Sequence, residues 1–480
     1  ALDLMLTGKT IDARRAKKMG LADDYVPPRV MDVAARQLVL SGQSRRPLPF
    51  VQRLLNGPLK FIVANGARKQ VARKARPEHY PAPYAIIEIW AKHDGNALAA
   101  PDVVDRIIQS PTARNLVRVF FLQERLKGFG KACDFKAQHV HVIGAGVMGG
   151  DIAAVCAMRG IRVTLQDTAP ERLAPAVKRA AELFKKRLKD PRRVRDALDR
   201  LIPDVSGAGA ARADVVIEAI FENLQAKREL FAKVEAVAKP DAVIATNTSS
   251  LKLADVAAQF KDPTRLVGIH FFNPVPQLQL VEVVSGAQTR EDLVRKATAF
   301  VRQIDKLPLP VQDSPGFLVN RVLGPYMQNA FRLLDEGVKP ETLDAAMEAF
   351  GMPMGPIELA DTVGLDICLA AGKALAKKGE QGEDAEAPQA LLNKVALGHL
   401  GKKTGQGIYR YEKGRAVKGQ PGAWRPELVE ALIEPYLGEA KAVLAEGIVA
   451  DADLIDAGLI FGTGFAPFRG GPLHYLESKK

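Results

Sequence analysis

Three cysteines in 480 residues, Cys133, Cys156 and Cys368, are too few and too widely spaced for a disulfide framework or a metal knuckle. No metal site is expected, and a reducing cytoplasm is the simplest setting. Long hydrophobic runs are also missing. None approaches the length of about 18 residues that a membrane-spanning helix needs, so no transmembrane segment is expected. The amino-terminal Ala1-Leu-Asp-Leu-Met-Leu-Thr-Gly-Lys9 has no basic stretch ahead of an apolar one, so no signal peptide is visible. It lacks an initiator Met and reads as beginning inside a fold. The net charge of +13 brings no nucleic-acid reader motif with it. Lys and Arg are spread along the chain, and small phosphate-rich ligands would benefit from the same field.

What is present describes an ordinary globular protein, 47% hydrophobic and 26% charged, long enough for about three domains. From about 138 to 312, short apolar runs suited to buried parallel strands alternate with helical patterns: Val215-Val-Ile-Glu-Ala-Ile220, Ala242-Val-Ile-Ala-Thr246 and Leu266-Val-Gly-Ile-His270. This predicts a doubly wound α/β, Rossmann-type domain. Residues 26–137 are helical in pattern but broken by Pro and Gly, and their basic run Arg68–Arg76 reads as a solvated connector helix. In residues 1–25, Asp12 is placed to cap a short helix ending at Gly20.

Beyond Pro315 amphipathic helices take over and repeat. Leu333-Leu-Asp-Glu-Gly-Val, with Phe350-Gly351 and Gly355-Pro356, recurs as Val443-Leu-Ala-Glu-Gly-Ile, with Phe461-Gly462 and Ala466-Pro467. Two such units, over about 313–412 and 425–480, can pack face to face and bury apolar surface that neither hides alone.

The most specific chemistry lies in His139-Val-His-Val-Ile-Gly-Ala-Gly-Val-Met-Gly-Gly150, where a β-prone run feeds into Gly144-x-Gly146-x-x-Gly149 and then a helix. Strand, glycine turn and helix together indicate a dinucleotide site. Gly144 permits the turn, Gly146 the approach of a pyrophosphate, and Gly149 the packing of helix on strand, with Val147 and Met148 completing the loop. Ile161-Arg-Val-Thr-Leu-Gln is a second strand, closed by Asp167, 18 residues after Gly149. That carboxylate suits an adenosine ribose 2′-hydroxyl, and no Arg directly follows it to meet a 2′-phosphate, so NAD is expected rather than NADP.

His270 ends an apolar strand, and ligands of doubly wound sheets bind beyond such ends. Glu282 follows 12 residues later, where an antiparallel return could bring its carboxylate to the imidazole. A carboxylate-oriented His can remove a hydroxyl proton, and Ser249 and Asn320 can hydrogen-bond the reacting oxygen. No Arg beside this set is read as a clamp for a free carboxylate.

These motifs, with Val216-Ile-Glu-Ala-Ile-Phe-Glu-Asn223, Asn247-Thr-Ser-Ser-Leu251, His270-Phe-Phe-Asn-Pro-Val275, Leu280-Val-Glu-Val283 and Asp313-Ser-Pro-Gly-Phe-Leu-Val-Asn-Arg321, closely resemble L-3-hydroxyacyl-CoA dehydrogenase. The resemblance implies His270 as base with Glu282 as partner, and Ser249 and Asn320 on the substrate oxygen of a 3-hydroxyacyl-CoA. It adds Glu222 and Lys227 to the cofactor site, to which Asn247 is also assigned. Asp313 or Ser314 is then expected to cap a helix with Pro315 in its first turn and Asn320 projecting from it. Met5-Leu-Thr-Gly-Lys9 and Ala16-Lys-Lys-Met-Gly-Leu-Ala-Asp23 resemble the closing segment of a crotonase (enoyl-CoA hydratase) domain. His79-Tyr-Pro-Ala-Pro83 and the second helical unit resemble the α-subunits of fatty-acid β-oxidation complexes. A thiolase partner is therefore implied, and a thiolase-docking subunit is the alternative function. The catalytic segment of the hydratase is not seen, so hydratase activity is not expected.

Overall fold

The computed structural model describes residues 2–42, 50–376 and 387–479. The chain divides into two compact units, Ala1–Leu116 and Val117–Lys480. This division falls inside the stretch 26–137 because the helix Pro111–Gly128 runs across it, with Leu122 and Leu126 buried in the core of the second unit.

The first unit is helical among its described residues. Asp12 caps Ala13–Met19 by accepting from Arg15 N at 2.7 Å, and Gly20 closes that helix in the left-handed region. The basic run starts within Lys60–Ala72 and continues into a turn, with Lys69, Arg73, Lys74 and Arg76 exposed. Ala64, Ile87 and Ala91 form the small core.

The second unit is built on strands β1 (His139–Ile143), β2 (Arg162–Gln166), β3 (Leu201–Asp204), β4 (Val215–Glu218), β5 (Val243–Thr246), β6 (Leu266–Phe271), β7 (Leu280–Ser285) and β8 (Leu307–Gln312). Their order is β3-β2-β1-β4-β5-β6-β7-β8. The first six run parallel; β7 returns antiparallel to β6, and β8 runs parallel to β7. This is the expected doubly wound sheet. Val140, Val142, Val163, Val215, Ile217 and Val243 are fully buried, as apolar runs covered on both faces must be. Helix α1 (Val147–Met158) follows β1 and is apolar on every side, with Ile152 through Ala157 buried. Helix α2 (Pro170–Leu188) follows β2 and buries only the stripe Leu173, Ala176, Ala180 and Phe184.

Strands β3 and β8 have no clear apolar-run signature. Both contain proline, which sheets tolerate at their edges, and both are edge strands. In β8, Leu307 donates to Gln279 O at 2.8 Å; the period of two then turns the nitrogens of Pro308 and Pro310 to the free edge, where no N–H is needed. A small hairpin, β9 (Arg410–Glu412) with β10 (Arg415–Val417), also interrupts the otherwise helical region.

The repeat is present as structure. Helix α3 (Val319–Asp335) packs against α6 (Pro426–Ala445), with Tyr326 and Tyr436 edge to face at 5.9 Å. Each is followed by a pair: α4 (Pro340–Phe350) with α5 (Pro356–Val363), and α7 (Ala452–Thr463) with α8 (Pro472–Glu477). The match of Gly355-Pro356 to Ala466-Pro467 is corrected. Its counterpart is Gly471-Pro472, because both Gly-Pro steps open a helix capped by a buried aspartate. Asp344 accepts from Ile357 N at 2.9 Å, and Asp456 accepts from Leu473 N at 2.8 Å. A Cβ on Gly355 would stand 2.1 Å from Asp344 Cα, and one on Gly471 2.2 Å from Asp456 Cγ. Pro467 opens a separate 3-10 turn, Pro467–Arg469.

Candidate functional site

The glycine turn joins β1 to α1. Gly144 has φ +103°, and a Cβ there would lie 2.6 Å from Ala219 O; a Cβ on Gly149 would lie 1.9 Å from Gly144 O. These two glycines are required by the fold. Gly146 differs: it is the N-cap of α1, its open side meets nothing within 4 Å, and Val147 beside it is exposed while Met148 is half-buried. An uncovered helix N-terminus behind a glycine with free space fits a pyrophosphate. Asp167, at the end of β2, accepts from Ala145 N at 2.8 Å and Thr168 N at 2.7 Å, so its carboxylate is fixed against the turn.

From β1 the site follows the carboxyl ends of neighbouring strands β4, β5 and β6. Three strand spacings cover about 14 Å, a length that suits a dinucleotide. After β4, Glu222 Oε1 accepts from Ser249 N (3.1 Å), Ser250 N (3.3 Å) and Ser250 Oγ (3.1 Å), and from Thr248 Oγ1. Burial pushes the Glu222 carboxyl up, but Lys227 and these donors outweigh it and hold the group below its usual range. Lys227 is 1% exposed, with Nζ 2.6 Å from Glu218 Oε1 and 3.3 Å from Glu222 Oε2. It therefore lies beneath the surface and supports Glu222 from below. Glu218 was not singled out from the sequence. It is fully buried and also accepts from Thr246 Oγ1 at 2.7 Å and Ile220 N at 2.7 Å. A carboxylate inside the apolar run Val215–Ile220 was its available signal.

Asn247, just past β5, accepts from Phe271 N at 2.8 Å and so ties that loop to the end of β6. The antiparallel register pairs His270 with Glu282 across β6 and β7, and Nδ1 meets Oε2 at 2.7 Å. The imidazole is 5% exposed, edge-on to Phe272 at 4.6 Å and tilted against Phe317 at 5.5 Å. Glu282 is fully buried; its other oxygen accepts from Leu318 N at 3.1 Å and Val319 N at 3.0 Å. The start of α3 is thus capped by Glu282. The expectation that Asp313 or Ser314 caps it, with Pro315 in the first turn, is corrected. Gly316 (φ +76°) and Phe317 (φ +52°) are left-handed and break the chain before the helix, and Asp313 instead accepts from Leu253 N at 2.9 Å. Asn320 sits in the first turn of α3, half-buried, and Ser249 is half-buried on the β5 loop. Neither the Asn320 amide nor the Ser249 hydroxyl has a hydrogen-bond partner among the described residues. Among those residues no cluster of metal-binding side chains occurs, and no helix is long and apolar enough to cross a membrane.

The sequence matches the NAD-binding domain of 3-hydroxyacyl-CoA dehydrogenase over residues 139–314 and its C-terminal domain over 316–411. It is 34% identical to the fatty acid oxidation complex subunit alpha of Shewanella amazonensis over all of this chain and 72% of that protein. The 3-hydroxybutyryl-CoA dehydrogenase of Escherichia coli K12 superposes with a TM-score of 0.64 at 28% identity, covering 72% of this chain and 92% of that one. The (S)-3-hydroxybutyryl-CoA dehydrogenase of Ralstonia eutropha gives a TM-score of 0.54 at 35% identity, over 58% of this chain and 100% of that one. A doubly wound sheet with an open glycine turn, a His–Glu pair across β6 and β7, and these matches agree: the chain belongs to the fatty acid oxidation complex α-subunit family and carries its NAD-dependent 3-hydroxyacyl-CoA dehydrogenase.

Proposed function

We propose that this chain oxidises (3S)-3-hydroxyacyl-CoA to 3-ketoacyl-CoA with His270 as the general base. The observation that carries the reading is the 2.7 Å contact between His270 Nδ1 and Glu282 Oε2. It commits Nδ1–H to the carboxylate and leaves Nε2 to accept the substrate hydroxyl proton. The buried charge of Glu282 then stabilises the imidazolium. NAD, bound along Gly144, Gly146, Val147, Met148, Gly149 and Asp167, supplies the hydride acceptor. Ser249 Oγ and Asn320 Nδ2 donate to the substrate oxygen, and Glu222 and Asn247 hold the loop that carries Ser249. Lys227 sets Glu222 from beneath.

The test is NADH formation with a 3-hydroxyacyl-CoA panel. His270→Gln is expected to lower kcat by about 10²–10⁴-fold with substrate KM changed only a few-fold. Turnover near the parent level overturns the base assignment.

The division at 138–312, 313–412 and 425–480, after 1–25 and 26–137, is our reading of the domains; the matched spans support the ranges 138–312 and 313–412. The relatives' name describes a subunit of a complex, and we take the partner to be a thiolase, which co-elution with a thiolase on size exclusion would test. Three free thiols support a reducing, cytoplasmic setting.

A further inference from the structure

Helix α2 begins just after Asp167 and carries Arg172 and Arg179, seven residues apart and therefore on one face. Arg179 is committed. Its Nη2 donates to Gly146 O at 2.9 Å, its Nε is enclosed without a partner, and Asp151 lies 3.9 Å away. Arg172 is not committed. Its Nη1 lies 3.9 Å from Asp167 Oδ1, beyond hydrogen-bond reach, and its side chain is 69% exposed. The carboxylate it faces is the fixed partner, held by Ala145 N and Thr168 N and only 13% exposed. At the ribose end of the glycine turn, a rigid anion thus stands beside a cation free to move on a long stem.

These two side chains oppose each other toward an adenosine ribose. A 2′-hydroxyl donates to a carboxylate, whereas a 2′-phosphate carries a charge of about −1.5 to −2 at neutral pH and is repelled by it. A guanidinium favours the phosphate through paired N–H donors. We infer that Arg172 is a second determinant of the choice of dinucleotide beside Asp167: while the carboxylate is charged, Arg172 offsets part of its repulsion of a 2′-phosphate, and it acts as a phosphate site in full when that charge is removed. The absence of an Arg directly after Asp167 concealed this pair in the sequence; one helical turn brings Arg172 back to the carboxylate. The inference rests on the reading that NAD lies along the glycine turn with its ribose at Asp167.

The test is calorimetric titration of the full chain with NADH and NADPH. The parent is expected to prefer NADH by about tenfold or more, as a carboxylate facing a phosphate at short range implies. Asp167→Asn keeps an oxygen for Ala145 N and removes the charge, and is expected to shrink that preference by about tenfold through tighter NADPH binding. Adding Arg172→Gln to Asp167→Asn should abolish the NADPH gain. Arg172→Glu alone leaves Asp167 and the turn intact, so it does not depend on how Asp167→Asn folds. It is expected to widen the NADH preference by about threefold or more. An unchanged ratio in Arg172→Glu, or an NADPH gain that survives in the double variant, overturns the inference. A parent chain that binds NADH no better than free adenosine overturns the underlying reading of the glycine turn, a result distinct from either.

Discussion

Glu282 meets two partners with its two oxygens: the His270 imidazole at 2.7 Å, and the N–H groups of Leu318 and Val319 at 3.1 and 3.0 Å. Charge-assisted bonds of this kind are stronger than neutral ones, and a carboxylate at a helix N-terminus also gains from the dipole. Base orientation and the start of the helix bearing Asn320 therefore depend on one side chain. Glu282→Gln preserves size but loses the charge. It is expected to lower kcat by about 10²-fold or more and to cost about 1–2 kcal/mol as a lost cap, read from the urea midpoint. A drop in kcat with unchanged stability would show that the cap contributes nothing. A 12-residue return between apolar runs allowed the pairing with His270, and the family resemblance implied it. The cap was not legible, because Asp313-Ser-Pro reads locally as a helix start and only the left-handed Gly316 and Phe317 displace it.

At the scale of elements, the glycine turn separates what the fold needs from what a ligand needs. A Cβ on Gly149 meets backbone at 1.9 Å and cannot be relieved by a rotamer, whereas a Cβ on Gly146 meets nothing within 4 Å. Gly149→Ala should cost about 2 kcal/mol or more, in the range of overpacking, visible as a lower Tm without cofactor. Gly146→Ala should cost under about 1 kcal/mol yet weaken NAD binding, since its methyl fills the pyrophosphate's approach. Equal Tm losses in the two would remove the distinction. The same division explains which strands could be read. β1, β2, β4, β5 and β6 are buried on both faces and announce themselves as apolar runs. β3 and β8 are edge strands with prolines, and only their place in the sheet makes them strands.

Across the whole molecule, the two helical copies share a device: a buried aspartate caps the following helix and is met by a distant cation. Lys418 Nζ lies 3.2 Å from Asp344, and Arg118 Nη2 lies 2.8 Å from Asp456. Burial pushes the Asp456 carboxyl up to about 6, against the pull of Arg118 and the N–H groups of Leu473 and His474. A folded value above the unfolded one means this group's contribution is fully present below about pH 4 and lost as pH rises through about 6. Arg118→Met leaves that charge without its cation. It is expected to cost about 3–5 kcal/mol near pH 7.5 and less near pH 5, where Asp456 holds a proton. The second bridge of Arg118, to the half-exposed Asp453, adds little. Denaturation midpoints at the two pH values decide the matter; a gap independent of pH would place the cost in lost packing.

Local rules were enough for the class of fold and the dinucleotide loop, because both are written in short-range spacing: glycines at a turn and apolar runs of strand length; for His270 and Glu282 spacing offered only a possible return, and the family resemblance supplied the pair. Tertiary structure alone decided the cap of α3, the buried support of Lys227 under Glu222, the true equivalence of the Gly-Pro steps and the approach of Arg172 to Asp167. Each of these joins groups whose meeting depends on how elements stack, and neither the period of a helix nor that of a strand encodes that distance.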